Sequence, residues 1–238
     1  MSIIAFEGID ASGKATQSKK LVARLQELGV ESERFDFPHY ESPTGREILS
    51  LLKREWWVTK GSFMTIEELN STAPVEEVMD VETDNERIAF VLQCLMTINR
   101  YEFLKYLDSW KTGSKVHNGV LVLDRYYGSG IAYGGADGLD TDYLYQIHEG
   151  LPYPDLWILV DVDPALSVER RPERRDEYEK RAGFMEKVRK QYLDLFNSNN
   201  LLWKSVVVNG DGEKDEVHER IWEAVKPLIG SVILGENG

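Results

Sequence analysis

The run Gly8-Ile9-Asp10-Ala11-Ser12-Gly13-Lys14 follows four apolar residues, Ile3-Ile4-Ala5-Phe6, and opens a stretch of helical periodicity. No other segment constrains the fold as much. Two glycines with four residues between them let the backbone curl its N–H groups toward one point. The N-terminus of a following helix favours an anion there, and Lys14 can reach the anion's outer charge. Leu21, Val22, Leu25 and Leu28 share one helical face, and Gly29 stops the helix. The order is therefore strand, phosphate-cradling loop, helix, with Gly8, Ala11, Ser12, Gly13, Lys14, Ala15 and Thr16 around a nucleotide polyphosphate. A glycine-rich turn without a ligand is the plainer alternative. Residue 15, where the pattern carries a hydroxyl for Mg²⁺, is Ala15.

Five short β-like runs recur along the chain: Ile3–Phe6, Glu33–Phe37, Val120–Leu123, Leu156–Val162 and Ser205–Val208. Helical patterns separate them at Lys14–Leu28, Arg87–Trp110, Asp142–Glu149, Pro164–Arg171, Ala182–Asn197 and Lys214–Leu228. Apolar strands alternating with helices predict an α/β fold, a five-stranded parallel sheet covered on both faces. Ligands of such sheets gather beyond the carboxyl ends of the strands. The polar clusters fall there: Gly8–Lys14, then Phe37-Pro38-His39-Tyr40, then Asp124-Arg125-Tyr126. Residues 1–238 read as one domain, with the acidic stretch 55–86 an insertion or long surface connection.

Composition narrows the partners. A formal charge of −13 over 238 residues argues against general nucleic-acid binding. No apolar run is long enough to span a membrane, and no signal peptide precedes the first strand, so a cytoplasmic protein is expected. The single cysteine, Cys94, sits in an apolar run and reads as a buried thiol. His39, His117, His148 and His218 share no metal-ligand spacing.

Three further clusters carry chemistry. Asp124 at a strand end can hold Mg²⁺ directly or through water, and Arg125 offers a planar fork to a phosphate; the pair could also simply satisfy each other. Asn99 and Arg100 interrupt an apolar helical face, facing either a polar pocket or solvent. The run Arg170–Arg181 packs six cations among four acids. It reads as a salt-bridged solvated helix or as a lid, residues 170–183, whose Arg171, Arg174 and Arg175 close over polyphosphate.

Taken together, these motifs resemble the thymidylate kinase family, nucleoside monophosphate kinases with a P-loop kinase three-layer sandwich and an arginine-rich lid. The resemblance rests on Phe6-Glu7-Gly8-Ile9-Asp10 with Gly13-Lys14 and Thr16-Gln17, on Phe37-Pro38-His39-Tyr40, on Asn99-Arg100, on Asp124-Arg125-Tyr126 with Ser129–Tyr133, and on Leu151–Leu156. It implies ATP as phosphoryl donor, dTMP as acceptor, Mg²⁺, and a homodimer. It implies catalytic roles for Lys14, Asp124 and the lid arginines Arg171, Arg174 and Arg175. It places Asp10, Phe37, Tyr40, Met96, Arg100, Arg125, Ser129, Tyr133 and Tyr178 around the monophosphate, with Arg100 on the base and Asp10 on the sugar hydroxyl.

Three positions depart from the family pattern. Ala11 stands where one subgroup has a catalytic arginine, which shifts that task to the lid. Met96 stands where a phenylalanine stacks on the base, and a thioether adapts more readily, so looser selectivity toward dUMP or 5-substituted dUMP is expected. Ala15 removes a hydroxyl ligand, and water is expected in its place. A deoxynucleoside kinase, or a nucleotide-binding protein without catalysis, remain the alternatives.

Overall fold

The computed structural model describes residues 2–53, 81–113, 119–170, 183–197 and 204–233. Five strands, β1 (Ser2–Glu7), β2 (Ser32–Asp36), β3 (Val120–Asp124), β4 (Leu156–Asp161) and β5 (Ser205–Asn209), form one sheet in the order β2-β3-β1-β4-β5. Each neighbouring pair in this order is parallel. The three central strands are almost wholly buried, whereas β2 and β5 at the edges alternate with exposed residues. This is the pattern expected of a parallel sheet covered on both faces.

Successive strand residues divide between the two faces. Ile3, Ala5, Leu121, Leu123, Trp157 and Leu159 enter one core, shared with helices α4 (Leu104–Lys111), α5 (Tyr127–Ala136) and α8 (Phe184–Asn197). Ile4, Phe6, Val120, Val122, Leu156, Ile158 and Val160 enter the other, covered by α1 (Lys14–Glu27) and α9 (Lys214–Ile233). A third, smaller cluster joins Ile48 and Leu51 of α2 (Pro43–Leu52) to Leu92 of α3 (Val81–Glu102). Two short helices, α6 (Thr141–Gln146) and α7 (Pro164–Arg170), complete the described elements.

The strands lie where the sequence predicts them, within a residue or two. The helices differ in three places. The predicted helix Arg87–Trp110 is two helices, parted at Phe103, whose ring packs 4.9 Å from Phe35 and 5.0 Å from His39. Its first turns also reach back to Val81, into the stretch read as a surface connection; residues 54–80 lie outside the described residues. The helix α2 went unread, although Ser42 caps it by accepting from the Gly45 amide at 3.0 Å and Pro43 occupies its first turn. The helix α5 also went unread, because four glycines in ten residues depress helix propensity.

Close packing forms α5 despite those glycines. A Cβ on Gly128 would lie 2.8 Å from Glu7 Oε1, and one on Gly134 would lie 2.5 Å from Leu144 Cδ1. Asp155, ahead of β4, ties that strand to β1: its carboxylate accepts from the Ile3 amide at 2.8 Å and its own amide donates to Ile3 O at 2.7 Å.

Gly45 is the tightest such approach. A Cβ there would sit 1.9 Å from His39 O and 2.7 Å from Tyr40 Cα, both backbone atoms that cannot swing aside. Gly45→Ala should therefore lower stability by about 1–3 kcal/mol in urea unfolding, as overpacking does. An unchanged midpoint would contradict this packing.

Candidate active site

The loop 8–13 leaves the carboxyl end of β1, the central strand, with β3 on one side and β4 on the other. Gly8 is held at φ +142°, and a Cβ there would meet Val160 O at 2.5 Å, so β4 itself presses against the loop. Gly13 is held at φ +103° and caps α1. Ala11 has a positive φ of 54°, uncommon without a glycine. The Lys14 ammonium is buried and donates to Ile9 O at 2.6 Å. Burial, with Arg125 close by, pulls its pKa down to about 7.

A groove runs along this loop, on the side where the resemblance puts the phosphoryl donor. Its walls are residues 10–17, Asp124, Arg125, Arg170, and the turn from Gly210 to Lys214 that leads into α9. Arg170 donates to Gly210 O at 2.9 Å and to Ser12 O at 3.4 Å, fastening the loop to the β5 end. Sequence reasoning counted Arg170 within the lid run and gave it no site role, though the cation cluster pointed to it. Arg171, Arg174, Arg175 and Tyr178 lie outside the described residues.

A second pocket, where the resemblance puts the acceptor, is also lined by Asp10 and Arg125. Phe37, Pro38, Tyr40, Gln93, Met96, Arg100, Ser129, Gly130 and Tyr133 line it; the resemblance groups all of these but Pro38, Gln93 and Gly130 around the monophosphate. Asp10 and Arg125 line both cavities. They form an ion pair, and the other Asp10 oxygen accepts from the Tyr133 hydroxyl at 2.7 Å. The Arg125 guanidinium also donates to Ser129 Oγ at 3.2 Å and Gly8 O at 3.3 Å, and lies 5.5 Å from the centre of the Tyr133 ring. Arg125 sits at φ +65°, a backbone conformation rare outside glycine and found where the surroundings over-determine it.

Glu7, fully buried beneath these groups, fixes that turn. Its Oε1 accepts from the amides of Tyr126 at 2.9 Å and Ser129 at 3.1 Å; its Oε2 accepts from Ser129 Oγ at 2.6 Å and the Tyr192 hydroxyl at 3.1 Å. Burial raises the Glu7 pKa, while Ser129, Arg125, Tyr126 and Arg100 act to lower it.

Arg100 is 2 % exposed and donates to Tyr126 O at 2.7 Å. Its Nη1 lies 3.4 Å from His148 Nε2. His148 Nδ1 lies 2.6 Å from Leu144 O, so that nitrogen carries the proton and Nε2 is left to accept. Burial and Arg100 push the His148 pKa down to about 3, so the ring is neutral and positions Arg100 without competing charge. Asn99 does not face the pocket. It accepts from the His39 amide at 2.8 Å and donates to Ser42 Oγ at 2.8 Å, pinning the Phe37–Tyr40 turn to the cap of α2.

Asp124 stands on the donor groove, and Arg34 on β2 pairs with it at 2.6 Å while donating to Ser18 Oγ on α1 at 3.0 Å. Among the described residues no group of three or more His, Cys, Asp or Glu side chains could hold a metal. One carboxylate and no hydroxyl at Ala15 is a donor set suited to Mg²⁺ that arrives largely on phosphates and water, as that ion commonly does. No helix of the described residues is long and apolar enough to cross a membrane.

Comparison with known proteins identifies the family. The family model for thymidylate kinase matches residues 6–81 and 75–221. A probable thymidylate kinase of Pyrococcus abyssi is 31 % identical over 94 % of this chain and 95 % of its own. The thymidylate kinase of Schizosaccharomyces pombe is 29 % identical over 94 % and 90 %. The thymidylate kinase structure from Candida albicans shares the fold, with a TM-score of 0.68, 24 % identity, and 95 % and 92 % coverage. Matched by the family model over most of its length, with the loop, the Asp-Arg-Tyr turn and the Asn-Arg helix motif in place, this chain belongs to the thymidylate kinase family.

Proposed function

We propose that this enzyme carries out the family reaction, ATP-dependent phosphorylation of dTMP to dTDP, in two half-sites that meet at Asp10 and Arg125. The observation that carries the reading is that these two residues line both the donor groove and the acceptor pocket. A phosphate gripped by Arg125 from the acceptor side would lie next to the end of a polyphosphate cradled by the loop.

Chemistry at that junction needs positioning and charge neutralisation more than proton transfer. An oxygen of the acceptor monophosphate forms the new bond to the γ-phosphorus of ATP. The bond from that phosphorus to the β-bridging oxygen breaks, and ADP leaves with the electron pair. The attacking oxygen is already an anion, so no general base is demanded. Both Asp10 oxygens are engaged, which fits a positioning role and fits poorly with a kinase that must deprotonate a nucleoside hydroxyl. Lys14 would follow the transferred group, and lid arginines Arg171, Arg174 and Arg175 would neutralise charge as it develops. Asp124 would hold Mg²⁺, which supplies charge compensation across the phosphates, with water at the place Ala15 leaves.

In the acceptor pocket Phe37, Tyr40, Met96, Arg100, Ser129 and Tyr133 would surround the nucleotide, with Tyr178 reaching in from the lid. Met96 supports relaxed base selectivity that extends to dUMP. A cytoplasmic homodimer is part of the same reading; Phe90 and Ile98, 42 % and 49 % exposed on α3, are apolar positions that a second copy would cover.

Coupled ADP release with ATP and Mg²⁺ tests the acceptor directly. Release should depend on dTMP, continue more slowly with dUMP, and not be supported by thymidine; equal rates with thymidine, or with no acceptor, would contradict the proposal. Arg125→Lys keeps the charge but loses the planar fork, and kcat/KM for dTMP should fall about tenfold to a hundredfold.

Lys14 gives a second test. With its pKa near 7, Lys14 is mostly neutral at pH 8 in the free enzyme, and a polyphosphate favours the charged form. ATP binding at pH 8 should therefore take up a proton, seen as a calorimetric heat that varies with the ionisation enthalpy of the buffer. Lys14→Arg, whose side chain stays charged, should bind without that uptake. Identical buffer dependence in both proteins would assign the proton elsewhere.

A further inference from the structure

Gln93 lies on α3 two turns before Arg100, and both side chains line the acceptor pocket. Gln93 is 3 % exposed, yet its side-chain oxygen Oε1 has no hydrogen-bond partner. A buried, unpaired amide oxygen is costly enough to be uncommon in folded proteins and calls for an explanation. Two glycines of α5, one turn apart, place it. The Gln93 Cγ lies 3.1 Å from where a Cβ on Gly134 would be, and Oε1 lies 3.3 Å from the same point on Gly130. The side chain thus runs along a groove that any larger residue would narrow, toward a pocket that Gly130 also lines. A glutamine retained only for bulk would leave its polar end unexplained.

Arg100 offers donors alone. Its Nη atoms meet Tyr126 O and His148, while its buried Nε has no partner. A 2,4-dioxopyrimidine presents the O4 acceptor beside the N3–H donor. A donor and an acceptor two turns apart on one helix suit that pair. The Asp10 carboxylate, the other strong acceptor of the pocket, is already engaged on both oxygens.

We propose that Gln93 is a specificity-determining residue whose Oε1 accepts the N3–H of the base while Arg100 donates to O4. The inference rests on the acceptor reading of this pocket. A 4-aminopyrimidine reverses both partners: an amino group faces Arg100 and a lone pair faces Oε1. Such a mismatch leaves buried polar groups unpaired on both sides, which is how a hydrogen-bonding site rejects a near-isostere.

The experiment compares dTMP with 5-methyl-dCMP, which has the same shape and differs only at positions 3 and 4. Initial rates are measured for the wild type, for Gln93→Met, and for Gln93→Leu, which also keeps apolar bulk and removes the amide oxygen. In Gln93→Met, kcat/KM for dTMP should fall about tenfold to a hundredfold, mainly through KM. The value for 5-methyl-dCMP should change little, so the ratio between the two narrows. Gln93→Leu should narrow it too, which keeps the test decisive if Gln93→Met does not fold. An equal loss on both substrates, or an unchanged ratio in whichever variants fold, would overturn the role of Gln93 while leaving the acceptor reading intact. A wild type inactive on dTMP would overturn that reading, and this inference with it.

Discussion

A carboxylate with no solvent exposure ends the central strand, and the geometry of both half-sites depends on it. Glu7 accepts from two backbone amides of the turn after β3, from the Ser129 hydroxyl, and from Tyr192 on α8. Those contacts join β1, the start of α5 and α8 at one point. They also hold the turn in which Arg125 takes a left-handed conformation. A buried carboxylate is tolerated only when hydrogen bonds surround it, and here three of the four donors to Glu7 come from Tyr126 and Ser129, beside Arg125. The same carboxylate lies 2.8 Å from where a Cβ on Gly128 would be, which accounts for a glycine at that position despite its cost to the helix.

The sheet was legible because its strands are short apolar runs with polar ends, and β1, β3 and β4 are buried on both faces. The loop was legible because glycine and lysine spacing states a backbone requirement directly. Less could be read of α5, whose sequence carries a poor local signal and whose helix depends on packing against Glu7, Gln93, Leu144 and Gln191. The helix α2 carries a usable cap in Ser42-Pro43, a signal that the sequence reading does not use. Tyr40, Met96, Arg100, Arg125, Ser129 and Tyr133 were placed in one pocket by resemblance. Spacing alone could not have joined Met96 to Tyr133.

The residues that reasoning missed share a cause. Gln93 and His148 come from helical stretches that were recognised, yet their roles arise from contacts across the chain. His148 meets Arg100 over 48 positions, and Gln93 reaches the pocket only because Gly130 and Gly134 leave room on another helix. Arg34 was read as a strand residue, and only the β2–β3 pairing brings it to Asp124. Glu7 stood inside the motif itself, but a charged residue at a strand end reads as solvent-facing until the sheet order shows β1 in the middle. Asn99 is the reverse case: its position suggested a pocket or solvent, and it instead fastens the Phe37–Tyr40 turn.

Arg34 also changes the meaning of Ala15. The missing hydroxyl is accompanied by a guanidinium already paired with the carboxylate expected to serve the metal. Arg34 is held between Asp124 and Asp36, and Arg170 fastens the loop at Ser12 O to Gly210 O.

The central claim is that Glu7 organises the acceptor half through the four hydrogen bonds its oxygens accept and leaves the donor loop largely to its own backbone. Calorimetric titration of Glu7→Gln with dTMP and with ATP separately tests it. Replacing one oxygen by an amide turns an acceptor into a donor against donors, so dTMP affinity should fall about tenfold or more while ATP affinity stays within about twofold. Equal losses for the two nucleotides, or none for dTMP, would contradict the account.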